Sequence, residues 1–168
     1  ATDTTATSLT SVLLLLSLNM PNQGKLYQDI IKNGWEKSRY LEWTILEGIR
    51  HLPPAPGVHK RARNKCAIPC SDLDVNERLI VEPNDGIFTN FLGMAFNEKY
   101  WGKDAKLFRP ERWCEEERRR RHPYCDAFFS SGTRSCIGRM LAMKEMKVSQ
   151  SNAEMIIVFI SYTYFFYL

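Results

Sequence analysis

The sequence lacks a long hydrophobic run, although 44% of its 168 residues are hydrophobic. A helix that crosses a bilayer needs about 20 apolar residues, and the stretches Val12–Leu16 and Met155–Leu168 are both too short. No membrane-spanning helix is therefore expected among these residues. A strong excess of charge is lacking too. The 23 basic and 19 acidic residues give a net charge of +4, which gives no reason to expect a nucleic-acid partner.

The five cysteines lack regular spacing, and their number is odd. This pattern excludes the disulfide framework of a small secreted domain and favours a reducing compartment. Cys66 and Cys70 could form half of a metal clip, but no second pair accompanies them, so we interpret them as packing or surface residues. The other thiols belong to Cys114, Cys125 and Cys136.

Three helices are predicted in the first third of the chain, over Ala1–Leu18, Asn19–Asn33 and about Glu36–His51. Gly34 ends the second helix, and Pro53 stops the third. Because the first helical pattern already starts at Ala1, we expect the chain to be a fragment. The predicted inner faces comprise Leu9, Val12, Leu13 and Leu16; Leu26, Tyr27, Ile30 and Ile31; and Tyr40, Leu41, Thr44, Ile45 and Gly48.

The segment from Phe129 to Gly138 carries the most informative pattern, F-x-x-G-x-R-x-C-x-G. Gly132 allows a backbone bend that a side chain would block. Arg134 places a cation two residues before the thiol of Cys136. A thiolate in a tight turn at a helix N-terminus is favoured by the free N–H groups and the helix dipole, which suits a metal ligand. The alternative is a buried structural cysteine in a glycine-rich loop.

This pattern resembles the haem-binding loop of the cytochrome P450 family at every fixed position. The resemblance implies haem b (iron protoporphyrin IX) as the cofactor, with Cys136 as the axial thiolate ligand of the iron. It also implies that Arg134 pairs with a haem propionate and that Phe129 keeps water away from the sulfur. Gly132 and Gly138 would shape the cofactor-binding loop.

A second family motif, A/G-x-D/E-T, matches the first four residues of the chain. From the residues alone, Asp3 and Thr4 are best interpreted as an N-cap pair, since both residue types are favoured there. The resemblance instead implies that Asp3 and Thr4 are catalytic and supply protons during dioxygen reduction.

Glu47 and Arg50 form an E-x-x-R motif, whose spacing places both side chains on one helix face. Alone, such a pair is usually a solvated surface pair. In the family it meets an arginine from a later P-E-R segment, which here is Pro110-Glu111-Arg112. The resemblance therefore implies a buried structural triad of Glu47, Arg50 and Arg112.

The proline-rich segment after the third helix is predicted to be extended. Lys60 would meet a haem propionate if the resemblance holds, and Arg61 is the alternative for that role. A solvated basic edge strand explains either residue equally well. By the same resemblance, the residues that contact substrate would be Ala55, Pro56, Gly57 and Val58.

Later segments allow local predictions. Leu79–Val81 predicts a short strand, and Leu92–Ala95 a short helix. Phe96 departs from the family, which often has a cation there, so we expect a local change in hydrogen bonding. The charged segment Cys114–Tyr124 is predicted to be a solvated loop or frayed helix with i,i+4 pairs, the alternative being a docking patch.

A last helix is predicted from Arg139 to about Val148, with its apolar residues facing inward and its basic residues in solvent. In the family this side faces an acidic electron donor, which a basic rim would attract. The predicted inward set is Ile137, Met140, Leu141 and Val148, and the basic set is Arg139, Lys144 and Lys147.

The resemblance covers residues 1–148 and implies a mainly α fold with small β segments, namely the haem-side C-terminal part of the cytochrome P450 domain. Residues 149–168 are interpreted as a divergent apolar tail. The implied activity is a monooxygenase that inserts one oxygen atom from O2 into an apolar organic substrate. The electron donor would be a protein such as NADPH–cytochrome P450 reductase.

The resemblance also implies that the parent protein is anchored in the endoplasmic reticulum membrane, on its cytosolic face, through a segment absent from this chain. Trp113 and the loop composition favour a eukaryotic protein of the microsomal type, and a fungal source is among those expected. Three alternatives stay open: a non-catalytic truncated remnant with weak or no haem binding, a basic interaction module without cofactor, and a haem-thiolate isomerase or dehydratase. Asp3 and Thr4 argue against the last.

Overall fold

A computed structural model of the chain describes residues 2–69 and 78–151. Ala1, Cys70 and residues 152–168, which make up most of the predicted tail 149–168, lie outside these residues. The chain divides into two compact units. The helical unit comprises Ala1–Pro56 and Phe91–Leu168, and the strand unit comprises Gly57–Asn90.

Three long helices open the helical unit: α1 (Thr2–Ser17), α2 (Met20–Asn33) and α3 (Arg39–His51). The start of α3 was predicted near Glu36, three residues too early. Ser38 sets the true start, because its hydroxyl accepts a hydrogen bond from the Leu41 N–H and caps the helix.

The core of the helical unit forms around α3. Its predicted inner residues are all buried, and Val12 of α1 and Leu26 of α2 pack in the same cluster. The prediction for α2 was half wrong, because Tyr27 and Ile31 are 40% and 66% exposed. The inner face of α2 carries polar residues instead. The amides of Asn22 and Gln23 donate hydrogen bonds to the carbonyl oxygens of Phe108 and Leu16.

The second part of the helical unit consists of short elements followed by one longer helix. The α-helices are α4 (Phe91–Ala95), α5 (Glu98–Trp101), α6 (Glu115–Arg120) and α7 (Arg139–Ser151). Three 3-10 turns lie at Pro110–Trp113, Ala127–Phe129 and Gly132–Arg134.

Helix α7 buries a different face from the one predicted. Met146 and Gln150 are buried, and Ala142 and Met143 pack against the core. These residues recur every three or four positions and define the inner face. The four apolar residues predicted to point inward are exposed: Met140, Leu141 and Val148 on the helix, and Ile137, which precedes it.

The strand unit contains two antiparallel pairs. β1 (Gly57–Arg61) pairs with β4 (Gly86–Asn90), and β2 (Cys66–Pro69) pairs with β3 (Arg78–Val81). Lys60 lies opposite Ile87 in the first pair. The fold is thus mainly helical with small β segments, as the sequence predicted. Among the described residues, no helix is long and apolar enough to cross a membrane.

Candidate haem-binding site and its buried support

Cys136 lies on an exposed loop between the 3-10 turn Gly132–Arg134 and α7. The backbone N–H of Cys136 donates a 2.8 Å hydrogen bond to the carbonyl oxygen of Phe129 and closes the loop. Gly132 has a φ of +70°, a conformation that side-chain-bearing residues rarely adopt. At Gly138, an added Cβ would lie 3.9 Å from the Cys136 sulfur, which is an ordinary van der Waals distance.

The side chains around this loop differ in their exposure. Phe129 is half-buried and packs against the core cluster, with the Arg139 guanidinium 5.3 Å from its ring centroid. Arg134 is exposed. Phe129 therefore anchors the loop to the helical unit, while Cys136 and Arg134 are accessible from outside.

The donor set at the loop fits haem. Within residues 2–69 and 78–151, no cluster of three or more His, Cys, Asp or Glu residues could hold a bare metal ion. The Cys136 sulfur is a single donor there, which suits a metal whose other ligands come from a porphyrin. Next to it, the apolar side chains of Met140 and Leu141 are 81% and 56% exposed, and Ile137 is fully exposed. Removing this exposed apolar surface from water is favourable, and the flat apolar face of a porphyrin is suited to covering it.

Glu47, Arg50 and Arg112 are in direct contact and have no solvent exposure. Arg50 donates to both carboxylate oxygens of Glu47, with two hydrogen bonds of 2.9 Å. Arg112 Nε donates to Glu47 Oε1 at 2.9 Å. Arg50 Nη2 also lies 2.6 Å from the His51 ring nitrogen, and Arg112 Nη2 lies 3.4 Å from a carboxylate oxygen of Asp104. The two guanidiniums donate further hydrogen bonds to backbone carbonyl oxygens, which belong to Ala95, Trp101, Asp104, Ala105 and Leu107.

Two further donors bind the same carboxylate and were missed by the sequence analysis. The backbone N–H of Arg109 donates to Glu47 Oε1, and the indole Nε1 of Trp113 donates to Oε2, both at 2.9 Å. Burial alone would raise the pKa of Glu47, but the hydrogen bonds and charges of the surrounding Arg50, His51 and Arg112 outweigh it. The pKa of Glu47 is therefore well below its ordinary value, and the group is a carboxylate.

The charged segment Cys114–Tyr124 is only partly solvated, which corrects the prediction. The exposed pair Arg119–Glu115 has the expected i,i+4 spacing. Glu117, however, accepts two hydrogen bonds from Arg109, at 2.7 and 2.8 Å. Arg121 is half-buried and lies over the rings of two tryptophans. Periodicity could not have found these contacts, because their partners are distant in sequence or aromatic.

Phe96 contributes aromatic packing. Its ring lies 5.7 Å from the guanidinium of Arg50 and meets the His51 ring edge-on at 5.4 Å. A cation at this position would stand beside the buried Arg50 charge, whereas a phenyl ring is attracted to it. The sequence predicted a local change in hydrogen bonding at Phe96, whereas the contacts that the structure shows for this side chain are ring contacts beside the triad.

The other predicted site residues lie elsewhere. Asp3 and Thr4 are exposed in the first turn of α1, a helix that contacts α7. Lys60 and Arg61 are exposed on β1 of the strand unit. The predicted substrate-contact residues follow α3 and divide between the units, with Ala55 and Pro56 in the helical unit and Gly57 and Val58 in the strand unit.

Comparison with known proteins decides the family. The model of the family described as "Cytochrome P450" matches residues 1–152. The chain belongs to the cytochrome P450 family. A crystal structure of a cytochrome P450 (CYP102L1) superposes with a TM-score of 0.77 at 28% identity, over 88% of this chain and 34% of that one.

Relatives of this cytochrome P450 chain occur in insects, plants and mammals. It is 31% identical to "Probable cytochrome P450 4p3" of Drosophila melanogaster over 86% of its own length. It is 31% identical to "Alkane hydroxylase MAH1" of Arabidopsis thaliana over 87%, and 30% identical to "Cytochrome P450 4X1" of Rattus norvegicus over 88%. In each case it spans 29% of the relative's length. Its fungal origin stays a prediction.

Proposed function

We propose that this chain is the haem-thiolate part of a monooxygenase that inserts one oxygen atom from O2 into an apolar organic substrate. The observation that carries the proposal is the exposed Cys136 thiol, held by its own backbone hydrogen bond beside an exposed apolar helix face. The name of one relative, an alkane hydroxylase, supports the apolar substrate class. Below, the parent protein means the protein that includes this chain.

Each residue of the loop would have a distinct task. Cys136 would bind the iron through its thiolate, and Arg134 would pair with a propionate through a planar fork of donors. Phe129 would keep water from the sulfur, while Gly132 and Gly138 would shape the cofactor-binding loop. When bound, haem with a thiolate ligand supplies the reductive activation of dioxygen.

The remaining roles are proposed from the family resemblance. Asp3 and Thr4 would hold and transfer protons, since a carboxylate and a hydroxyl can pass a proton between them. Lys60 would pair with the second propionate. A reductase such as NADPH–cytochrome P450 reductase would supply electrons, at the endoplasmic reticulum membrane. The segment that would contact substrate comprises Ala55, Pro56, Gly57 and Val58.

The proposal is tested by the absorption spectrum of the reduced, carbon-monoxide-bound parent protein. We expect the long-wavelength band of thiolate ligation in the wild type and its loss in Cys136→Ser. Cys66→Ser is the matched control, because Cys66 is also an exposed thiol but lies on β2 of the strand unit. An unchanged band in Cys136→Ser, or a histidine-like band in the wild type, would overturn the assignment.

A second expectation concerns the 168-residue chain on its own. The apolar face beside Cys136 is exposed within it, so a bound haem would be covered poorly and substrate would be held weakly. We expect little or no turnover when the chain is mixed with a reductase and an alkane substrate. Product formation by the isolated chain at a rate comparable with that of the parent protein would refute this expectation.

A further inference from the structure

Helix α6 and its C-terminal neighbour contain four consecutive arginines whose environments differ. Arg118 and Arg119 form ion pairs at the surface with Asp126 and Glu115. The side chain of Arg119 is 76% exposed. Arg121 points the other way, and its Nη1 donates a 2.7 Å hydrogen bond to the backbone carbonyl of Arg112. Arg121 thus reaches the backbone of the segment that carries the triad, whereas Arg118 lies 5.9 Å from the ring centroid of Trp113.

The guanidinium of Arg121 also lies over two indole rings. It is 4.5 Å from the ring centroid of Trp101 and 5.4 Å from that of Trp113, and the two rings are 5.5 Å apart. A planar cation on an aromatic face is attracted to the ring, and more strongly where water is excluded. Burial lowers the pKa of Arg121, but an arginine side chain stays charged.

These tryptophans connect the triad with the cysteine loop. Trp113 donates its indole N–H to Glu47, whereas Trp101 stacks on Phe128 with an interplanar angle of 28° and a centroid distance of 6.5 Å. The residue after Phe128 supplies the carbonyl oxygen that accepts the hydrogen bond of Cys136. Arg121 contacts both tryptophans and so links the two ends of this chain of contacts.

We infer that Arg121 is a positioning residue that couples the buried Glu47 network to the Cys136 loop. It holds the Arg112 carbonyl and the two indoles in one arrangement, and Phe128 transmits that arrangement to the loop. This inference rests on the proposed function in one respect, namely that the Cys136 loop binds haem. Arg121 itself touches neither the thiol nor the position of a cofactor in any contact described.

The test measures amide hydrogen exchange in the parent protein, comparing Arg121→Gln with Arg119→Gln. The two variants remove the same charge from the same run, but only the first breaks the contacts with the indoles and the Arg112 carbonyl. We expect exchange of residues 127–138 to accelerate about tenfold in Arg121→Gln and to stay unchanged in Arg119→Gln. The amides of α3 should keep their protection in both variants.

A second readout is the fraction of protein that retains the long-wavelength carbon-monoxide band, which should fall in Arg121→Gln alone. If Arg121→Gln does not fold, Arg121→Lys replaces it, and we expect a smaller acceleration in the same residues because lysine cannot donate and stack at once. Equal exchange in the Arg121 and Arg119 variants, or acceleration spread evenly through α3, would overturn the inference. A wild type without the thiolate band would defeat the proposed function only, since the exchange comparison stands without it.

Discussion

Replacing Glu47 with glutamine is expected to lower the free energy of unfolding by about 3–5 kcal/mol. The substitution keeps the shape of the side chain but leaves Arg50 as a buried cation without its carboxylate partner, and it leaves Arg112 with the longer 3.4 Å pair to Asp104. Urea unfolding of the parent protein, followed by circular dichroism, measures the loss. Glu115→Gln is the matched control, because its carboxylate lies at the surface beside Arg119, and we expect no measurable change there. An equal effect of the two substitutions would contradict the prediction.

The same carboxylate predicts how stability depends on pH. In the unfolded chain a glutamate has a pKa of about 4.3. In the folded chain the pKa of Glu47 is lower, because the arginine charges and hydrogen bonds outweigh the effect of burial. As the pH falls, the unfolded state therefore binds the proton first. The stabilisation from Glu47 is complete above the unfolded-state pKa and is lost as the pH falls towards and through the folded-state pKa. Acidification below about pH 4 should thus destabilise the wild type more steeply than Glu47→Gln. Parallel curves of stability against pH would argue against this.

Replacing Gly48 with alanine is expected to lower the free energy of unfolding by about 1–3 kcal/mol. A Cβ at Gly48 would lie 2.3 Å from Val12 Cγ2 and 3.2 Å from Val12 Cα, so α1 and α3 would have to separate. The branched side chain of Val12 is fully buried and has little freedom to rotate away. Thermal unfolding of the variant measures the effect.

Gly24→Ala is the control for this substitution. Gly24 lies inside α2, and an added Cβ there would meet nothing within 4 Å. Alanine is the better helix former, so this change should raise the free energy of unfolding by about 0.5–1 kcal/mol. The two glycine substitutions should therefore have opposite signs. A shift in the same direction for both would show that the close approach of α1 and α3 does not limit position 48.

The sequence predicted the fold where the apolar spacing of a helix agrees with the residues that end it. The apolar spacing within α3 and the proline after its end located that helix. The charged groups that meet in the core were located by the family resemblance of E-x-x-R and P-E-R, since the spacing alone favours a solvated surface pair. The sequence could not predict that Trp113 and the Arg109 backbone complete the network. Those contacts depend on the path of the chain between residues 51 and 109, and the sequence pattern does not encode it.

Three other misses have physical causes. Helix α7 carries apolar residues on both faces, so periodicity alone could not decide between Met140 and Met146 as the inward residue. Gln150 is buried on the inner face, so the positions of the polar residues did not identify the outer face either. In the run of arginines, identical side chains have different partners, and charge patterning could not separate Arg121 from Arg119. The strands β2 and β4 are short and contain Pro69 and Gly86, which weakened their β pattern.

The hydrogen bonds to Glu47 restrict what this acid can do chemically. Three donors reach Oε1 and two reach Oε2, whereas a carboxylate offers about four lone-pair sites. No lone pair is left to receive a proton from a reacting group. Although Glu47 is a buried carboxylate in the helical unit, its lone pairs are all occupied, so this acid serves the fold and is not available for proton transfer.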